Sequence, residues 1–269
     1  MFIMDSAKIK QIARDCGVDL IGIASRDRIE GLVPEGNPTQ IMPHMKSVIV
    51  LGYQVLRGAL RGIETGSCWN SLGGGSPLGF MSEVTYNFCR HLESAGWECV
   101  PLHSQSKNLR KQGVSVAQGK PEPDVIVDMN YLAYAAGLGH LGEGKLFLSP
   151  EYGPRQYFMG VVTDLELQPD PLFAGNLCEA CGACLKACPA RAYDAEKWAE
   201  ESFPAGLFKW HPVHIESCRI CKTGSTGNPY DSAADPNRLG AACGRACVAH
   251  LEASGRLKCA LKSSFRENE

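Results

Sequence analysis

The chain has 269 residues, of which 44% are apolar and 21% are charged, and these fractions are ordinary for a globular protein. Its net charge of −2 gives no general attraction to a nucleic-acid backbone or an anionic membrane, and no apolar run approaches the roughly 20 residues that span a bilayer. The N-terminus has neither a basic region followed by a hydrophobic stretch nor a twin arginine, which predicts a cytoplasmic protein.

The N-terminal part of the sequence begins with a helix-like segment and two strand-like segments. Apolar residues spaced i, i+3, i+4 and i+7 from Ile9 to Cys16 predict a first helix, which Gly17 ends. Short apolar runs rich in β-branched residues predict buried strands over residues 19–24 and 47–53.

The segments that follow continue this alternation. Residues 62–79 are rich in glycine and serine and are predicted to form a loop. Apolar residues four apart predict a helix over residues 80–96, and the apolar runs 125–127 and 158–163 predict two more strands. Helices that lie between strands favour an α/β sheet domain over residues 1–170.

The composition changes after Leu167, where cysteine, glycine and alanine become frequent. The proline-containing stretch 168–171 predicts a linker. A second, cysteine-rich domain is predicted over residues 171–262, and residues 263–269 predict a polar tail.

Cysteine is the unusual residue of this sequence, with 13 in the chain. In a reducing cytosol, such a density indicates metal ligation and not disulfides. Eight of the cysteines lie between Cys178 and Cys247. The others have no partner at a ligand spacing and are predicted to be buried free thiols: Cys16, Cys68, Cys89, Cys99 and Cys259.

The first four of these eight cysteines have the spacing of the bacterial ferredoxin run, Cys178-x2-Cys181-x2-Cys184-x3-Cys188, and a proline follows. Three cysteines at this interval wrap a tight loop around one four-iron cluster, and the fourth points away towards another cluster. Gly182 stands where close backbone approach to a cluster favours a residue without a side chain. Zinc sites more often use two separated pairs, so the run favours an iron–sulfur cluster.

The other four cysteines are spaced less regularly, because residues 222–242 separate one pair from the next. The ligands of two-cluster ferredoxins cross over between the two cysteine runs. This logic predicts a first ligand set, Cys178, Cys181, Cys184 and Cys247. It also predicts a second ligand set, Cys188, Cys218, Cys221 and Cys243. The alternative is one cluster and a separate zinc ion held by Cys218, Cys221, Cys243 and Cys247.

The segment 133–155, AYAAGLGHLGEGKLFLSPEYGPR, leads into a strand and then into the ferredoxin run. This order resembles the family of epoxyqueuosine reductase and the reductive dehalogenases, of which the chain looks like a short, divergent member. The resemblance covers most of the chain and implies a nitroreductase-like α/β domain followed by a ferredoxin-like module with two [4Fe-4S] clusters. It also implies bound cobalamin, with its corrin ring over the glycine-rich segment: Gly137, Leu138, Gly139, His140, Gly142 and Gly144.

Candidate catalytic acids follow from the same resemblance and from residue chemistry. The tRNA-modifying reductases carry an aspartate upstream of the Gly-Leu-Gly sequence, and Asp128 ends an apolar run in the corresponding part of this chain. Tyr152 lies three residues from Arg155, whose charge would lower the pKa of the tyrosine and help it to protonate an intermediate. Tyr131 and Tyr134 are further candidates.

The leading hypothesis is an iron–sulfur oxidoreductase that passes single electrons through two clusters to cobalamin, which then reduces a small organic substrate. A low-potential donor of the ferredoxin or flavodoxin type is the expected electron source. One alternative is an electron-transfer protein that re-reduces the corrinoid of a partner protein, and another is a flavin in place of the corrin. The acidic charge balance argues against a nucleic-acid substrate.

Overall fold

The structure, a computed structural model, describes residues 4–103, 118, 125–225 and 236–266. The helices in these ranges are α1 (Ser6–Asp15), α2 (Arg57–Glu64), α3 (Ser71–Gly75), α4 (Met81–Ser94), α5 (Met129–Ala135), α6 (Ala183–Lys186), α7 (Ile215–Arg219) and α8 (Ala242–Ala253). The strands are β1 (Leu20–Ser25), β2 (Ser47–Gln54), β3 (Cys99–Leu102), β4 (His140–Leu141), β5 (Phe147–Leu148), β6 (Gln156–Thr163), β7 (Ala199–Phe203) and β8 (Gly206–Trp210). One-turn 3₁₀ helices cover Arg26–Arg28, Pro34–Gly36, Pro38–Gln40 and Pro77–Gly79.

A four-stranded sheet in the order β1-β2-β6-β3 forms the centre of the fold, and all of its strand pairs are antiparallel. The middle strand β2 pairs with both neighbours, and its Ile49 lies opposite Ile23 and Val161. Because successive side chains of a strand point to opposite faces, Val48 and Val50 enter one apolar core while Ile49 enters the other. β2 is therefore buried on both faces, which explains its uninterrupted apolar sequence.

Helices cover both faces of this sheet. On the face of Ile49, α1 and α4 contribute the buried side chains of Ile9 and Phe88. On the opposite face, α5 contributes Tyr131, and the β7–β8 hairpin packs Phe208 against the same core. The helices in the described ranges are too short or too polar to cross a lipid bilayer.

The structure confirms the predicted helices near residues 9–16 and 80–96 and the strands near 19–24, 47–53 and 158–163. The fold is mixed α/β, as predicted, but the sheet is antiparallel and not built from parallel units.

Two local predictions are wrong. Residues 125–127 lie outside the sheet, and the N–H of Ile126 instead donates to the carbonyl of Glu35 at 2.8 Å. The edge position next to β6 belongs to β3, whose Pro101 weakens the strand pattern in the sequence. Residues 62–79, predicted as a loop, contain the end of α2 and all of α3.

The predicted linker and the predicted polar tail are both packed against the rest of the chain. Asp170 receives a hydrogen bond from the N–H of Ile23 at 2.9 Å and donates its own N–H to the carbonyl of Ile23. Phe265 is only 1% exposed and packs with α2. Since a buried aromatic side chain anchors residues 263–266, the tail prediction is wrong for them, and residues 267–269 lie outside the described ranges.

Candidate metal centre

The four cysteines of the first ligand set line one pocket. Cys178, Cys181 and Cys184 reach it from the loop that ends in α6, and Cys247 reaches it from the middle of α8. The pocket is partly open to solvent, and Leu146, Leu148, Leu177 and Leu251 form much of its apolar wall. Four thiol groups from two distant segments therefore face a common space.

The loop that carries the first three cysteines is tightly curled. Gly182 has φ +67°, and Ala180 has φ +57°, so two residues between the cysteines adopt the left-handed conformation. Glycine adopts this conformation freely, whereas alanine does so only at some energetic expense. This curvature turns the side chains of Cys178, Cys181 and Cys184 inward, as the sequence spacing predicts.

Deprotonation of the thiols in this pocket is unfavourable unless a bound cation compensates for the negative charge. Burial, followed by the proximity of Cys178, Cys243 and Cys181, raises the pKa of Cys184 to about 12. Burial and the neighbouring thiols also raise the pKa of Cys247 well above its usual value. Thiolates crowded in an apolar site repel one another, and bound metal removes this penalty and favours the deprotonated form. The donor set therefore fits a metal cluster of positive core charge.

The glycine-rich segment lies against this cysteine pocket. The N–H of Glu143 points to the Sγ of Cys178 at 3.5 Å. A Cβ added at Gly144 would lie 2.6 Å from the Sγ of Cys184, and one added at Gly142 would lie 3.5 Å from the Cβ of Cys178. Two of the glycines predicted to underlie a corrin ring are thus next to the cysteines.

The other two glycines of this segment are explained by contacts within the chain. Gly137 ends α5 in a Schellman motif, in which its N–H bonds to the carbonyl of Tyr134 and the N–H of Leu138 bonds to that of Ala133. A Cβ at Gly139 would lie 1.9 Å from the carbonyl oxygen of Leu148. The Cβ positions of these two glycines therefore face protein atoms, and the contacts within the chain account for both residues.

His140 and Leu138 are also engaged with the protein. The Nε2 of His140 accepts a hydrogen bond from the N–H of Leu177 at 2.9 Å, and its Nδ1 lies 3.2 Å from the carbonyl of Leu141. Its ring stacks on Phe173, and burial lowers its pKa. His140 thus holds the chain immediately before Cys178, and Leu138 packs into the core below β1.

The second ligand set gathers around Tyr193 and Arg238. Cys188 and Cys243 share an apolar cluster with Tyr193. Burial raises the pKa of Cys218, Arg238 lowers it, and the nearby Cys243 and Cys221 raise it further. The structure therefore brings the four cysteines of this set to one region.

Polar groups of the backbone and of a threonine face two of these sulfur atoms. The N–H of Ala192 points to the Sγ of Cys188 at 3.3 Å. The hydroxyl of Thr223 lies 3.0 Å from the Sγ of Cys221. Hydrogen-bond donors around cysteine sulfur are typical of iron–sulfur sites, where they help to set the reduction potential.

The zinc alternative requires Cys247 to join Cys218, Cys221 and Cys243. The structure instead places Cys247 in the pocket of the first ligand set. Among the residues that the structure describes, no three histidine, cysteine or acidic side chains converge closely enough to hold a single ion. Ligands of one zinc ion lie about 3.8 Å apart, given Zn–S bonds of about 2.3 Å, whereas the thiolates of a cubane each bind a different iron.

The candidate catalytic residues do not form one group in the structure. Asp128 is the N-cap of α5, and its carboxylate accepts hydrogen bonds from the N–H groups of Asn130 at 2.8 Å and Tyr131 at 3.1 Å. An aspartate at this position satisfies the free amides of a helix start, which is a structural role. Tyr131 and Tyr134 pack under the β7–β8 hairpin, with Tyr131 fully buried.

Tyr152 and Arg155 do lie together, with the guanidinium 5.8 Å from the centre of the tyrosine ring. The expected effect on the tyrosine is wrong, however, because burial, followed by Asp19 and Cys259, raises the pKa of Tyr152 to about 12. Arg155 is 1% exposed and donates to the carbonyl of Val55 at 2.6 Å, and burial lowers its pKa. Desolvation outweighs the cation here.

Comparisons with known proteins identify the relatives of this chain. No family model matches it. A tetrachloroethene reductive dehalogenase of Desulfitobacterium hafniense is 33% identical over 185 residues, which cover 64% of this chain and 29% of the dehalogenase. An epoxyqueuosine reductase of Listeria monocytogenes is 40% identical over 58 residues, which cover 22% of this chain and 15% of that protein. The chain is a homologue of these reductases.

Solved structures show the same relationship at the level of the fold. The catabolic reductive dehalogenase NpRdhA matches with a TM-score of 0.57 at 19% identity, over 89% of this chain and 30% of its own. A second dehalogenase structure, described as suggesting a mechanism for B12-dependent dehalogenation, matches with a TM-score of 0.56 over the same shares. This reductase homologue spans less than a third of the length of the curated dehalogenases that it matches.

Sequence reasoning missed three side chains around the cysteines of this reductase homologue. His250 lines the pocket of the first ligand set, while Tyr193 and Arg238 lie beside the second. Of the three, only His250 could have been predicted from the sequence, because it follows Cys247 by three residues and therefore shares its face of a helix. Arg238 comes near the cysteines through tertiary structure alone.

Proposed function

We propose that the chain is an iron–sulfur oxidoreductase that passes single electrons through two [4Fe-4S] clusters, one on each ligand set. The observation that carries the proposal is the pocket shared by Cys178, Cys181, Cys184 and Cys247, which reproduces the crossed ligand pattern of two-cluster ferredoxins. Homology to proteins named reductases and dehalogenases supports a reductive activity.

The clusters would store and transfer single electrons, and the protein would supply their ligands, hydrogen bonds and apolar surroundings. The curled loop with Gly182 would present three thiolates to one cluster, and α8 would present one thiolate to each, through Cys243 and Cys247. The N–H groups of Glu143 and Ala192 would stabilise thiolate charge. The apolar wall of the first pocket would limit the access of water to its cluster.

A corrinoid is the proposed electron acceptor, because a solved relative is described in terms of B12-dependent dehalogenation. When bound, cobalamin would supply a cobalt centre able to reduce an organic substrate. Contacts within the chain account for two residues of the predicted corrin cradle without a ring, since the Cβ positions of Gly137 and Gly139 face Pro171 and Leu148. No role in substrate chemistry is therefore assigned to this segment.

This observation favours a second candidate function. If the glycine-rich segment supports the cysteine pocket and not a ring, the chain could deliver electrons to a corrinoid held by a partner protein. In that version Asp128 and Tyr152 have structural roles, in agreement with their N-cap position and raised pKa. A flavin as second cofactor would give a third version with the same electron-transfer core.

Anaerobic purification separates these versions. Iron, acid-labile sulfide, cobalt and flavin are quantified beside an optical spectrum, and we expect about eight irons per chain for two four-iron clusters. One cobalt with corrin absorption would support a cobalamin enzyme. About eight irons without cobalt or flavin, even after incubation with cobalamin, would support the electron-transfer protein. About four irons with one zinc would overturn the two-cluster proposal.

A further inference from the structure

One face of α8 connects the two ligand sets and then continues to a histidine. Cys243 belongs to the second set, Cys247 lies one turn further and belongs to the first, and His250 follows after almost one more turn. Positions separated by three or four residues share a helix face, so His250 points in the direction of Cys247. Accordingly, His250 lines the same pocket as the four cysteines of the first set.

The imidazole of His250 has an unused hydrogen-bonding atom at this place. Its Nε2 is buried and has no hydrogen-bond partner in the described ranges. Among the described residues that line the pocket, no other has a buried side-chain nitrogen or oxygen in this state. Buried polar atoms in folded proteins almost always have a partner, so this atom indicates a hydrogen-bond partner that belongs in the pocket.

Two other polar groups of the pocket are already engaged. Glu179 forms an ion pair with Arg256, and the backbone N–H of Glu143 faces the Sγ of Cys178. The remaining lining near His250 is apolar and includes Leu177 and Leu251. Sulfur, which four cysteines of the lining present to this space, is the acceptor that we assign to the Nε2 atom.

We propose that His250, as the Nε2–H tautomer, donates a hydrogen bond to a sulfur atom of the cluster on the first ligand set and thereby raises its reduction potential. The inference rests on the proposed function. A donor on cluster sulfur withdraws electron density and stabilises the reduced state, which carries one more negative charge. Because Cys243 lies more than one turn away along α8, the cluster on the second set is not expected to respond.

Three variants of the full chain test the hydrogen bond. His250→Leu removes the donor at similar size, and His250→Gln returns an N–H at a comparable reach. His91→Leu is the matched control, because His91 is exposed on α4 and lies outside the pocket. Each variant is purified without oxygen, its iron and sulfide are quantified, and its reduction potentials are measured by titration followed by electron paramagnetic resonance.

For His250→Leu we expect a tenfold smaller equilibrium constant for reduction of the first cluster, which corresponds to about 59 mV for one electron. The glutamine variant and the control are expected to keep the wild-type potential. A Cys221→Ser background, in which only the first set keeps four cysteines, assigns the potential to its cluster.

Unchanged potentials in His250→Leu, with a full iron content, would overturn the inference and leave the proposed function intact. An equal shift in the leucine and glutamine variants would also overturn it, because the shift would then reflect packing. If the His250→Leu variant does not bind the first cluster, the potential is measured in His250→Asn instead. The shorter asparagine side chain keeps a polar group but moves its N–H donor away from the cluster. A wild-type protein without four-iron clusters would overturn both proposals.

Discussion

At the scale of single residues, the glycines of the segment 137–144 show how backbone and ligand sites depend on each other. Gly144 has no positive φ, so its lack of a side chain is not required by backbone conformation. The contact with Cys184 is the reason instead, because any Cβ would reach within 2.6 Å of the ligand sulfur. The glycine thus serves the first ligand set.

We predict that Gly144→Ala loses the cluster of the first ligand set and lowers the iron content from about eight to about four per chain. The added methyl group would lie 2.6 Å from the Sγ of Cys184 and would displace this ligand atom. Iron and sulfide analysis measures the loss. Gly58→Ala is the control, because its Cβ meets no atom within 4 Å in α2, and alanine favours the helix by about 1 kcal/mol. Full iron content in Gly144→Ala would contradict the assignment.

His140 gives a second prediction at this scale, since its neutral ring accepts the N–H of Leu177. Burial lowers the pKa of His140 below its usual value of about 6.5, so the unfolded chain binds the proton more readily than the folded chain. The contribution of His140 to stability is therefore present above pH 6.5 and is lost as the pH falls towards the folded pKa.

Hydrogen exchange of the peptide that contains Leu177 measures this effect. In the wild-type protein, we expect the protection factor of this amide, which is the intrinsic exchange rate divided by the observed rate, to fall several-fold between pH 7.5 and pH 5.5. The His140→Gln variant keeps an acceptor that does not titrate, and its protection should not depend on pH in this window. The same pH dependence in both proteins would argue against the role of His140.

The sequence could predict the ligand cysteines of the site but not the surroundings that set its chemistry. The spacing from Cys178 to Cys188 encodes the shape of a loop, which is local information. The assignments of Asp128 and Tyr152 relied on neighbours along the chain, whereas their environments come from helix capping and burial. The pKa of Tyr152 illustrates the limit, because desolvation by distant segments cannot be read from adjacent residues.

At the scale of elements, α2, α8 and the C-terminal segment form a unit through buried charge. Arg57 pairs with Glu252 at 2.7 Å, with side-chain exposures of 8% and 10%, and also donates to the carbonyl of Ser263. Arg245 of α8 pairs with Glu64 of α2 at 3.0 Å. Since α8 carries Cys243 and Cys247, these pairs fix the helix that serves both ligand sets.

Breaking the Arg57–Glu252 pair should therefore be costly. We predict that Arg57→Met lowers the free energy of unfolding by about 3–5 kcal/mol, because it leaves the Glu252 carboxylate buried without its partner. Denaturant unfolding of the anaerobic protein measures the change. The control is Lys197→Met, which breaks the pair of the exposed Lys197 with the half-buried Asp194 and should have no measurable effect. Equal stability of Arg57→Met and wild type would show that the pair does not hold α8.

Elements with a strong periodic pattern were predictable from the sequence, and those defined by partners were not. β2 is apolar on both faces, and α4 has a regular apolar stripe, so local pattern and tertiary burial agree. β3 contains Pro101 and joins the sheet only because β6 offers an open edge. The failure at residues 125–127 has the same origin, since an apolar run becomes a strand only where a partner is available.

At the scale of the whole molecule, Arg238 links the glycine-rich segment to the second ligand set. Its guanidinium donates to the carbonyls of Gly144 at 2.9 Å and Lys145 at 2.6 Å, and to the hydroxyl of Tyr193 at 3.0 Å. Burial raises the pKa of Cys218, and the charge of Arg238 opposes this rise, in keeping with its position beside the second set. One side chain thus joins the support of the first cysteine pocket to the electrostatics of the second.

We predict that Arg238→Gln lowers the reduction potential of the second cluster, because a nearby cation stabilises the electron that reduction adds. A tenfold smaller equilibrium constant for reduction, or about 59 mV for one electron, is the expected size. Arg238→Lys is the matched variant: it keeps the charge but loses the planar fork that bridges two carbonyls. If charge is the cause, the lysine variant retains most of the potential, whereas an equal fall in both variants would assign the effect to the lost hydrogen bonds. A potential that does not change in Arg238→Gln would mean that this half-buried cation holds the two halves of the site together without tuning either one.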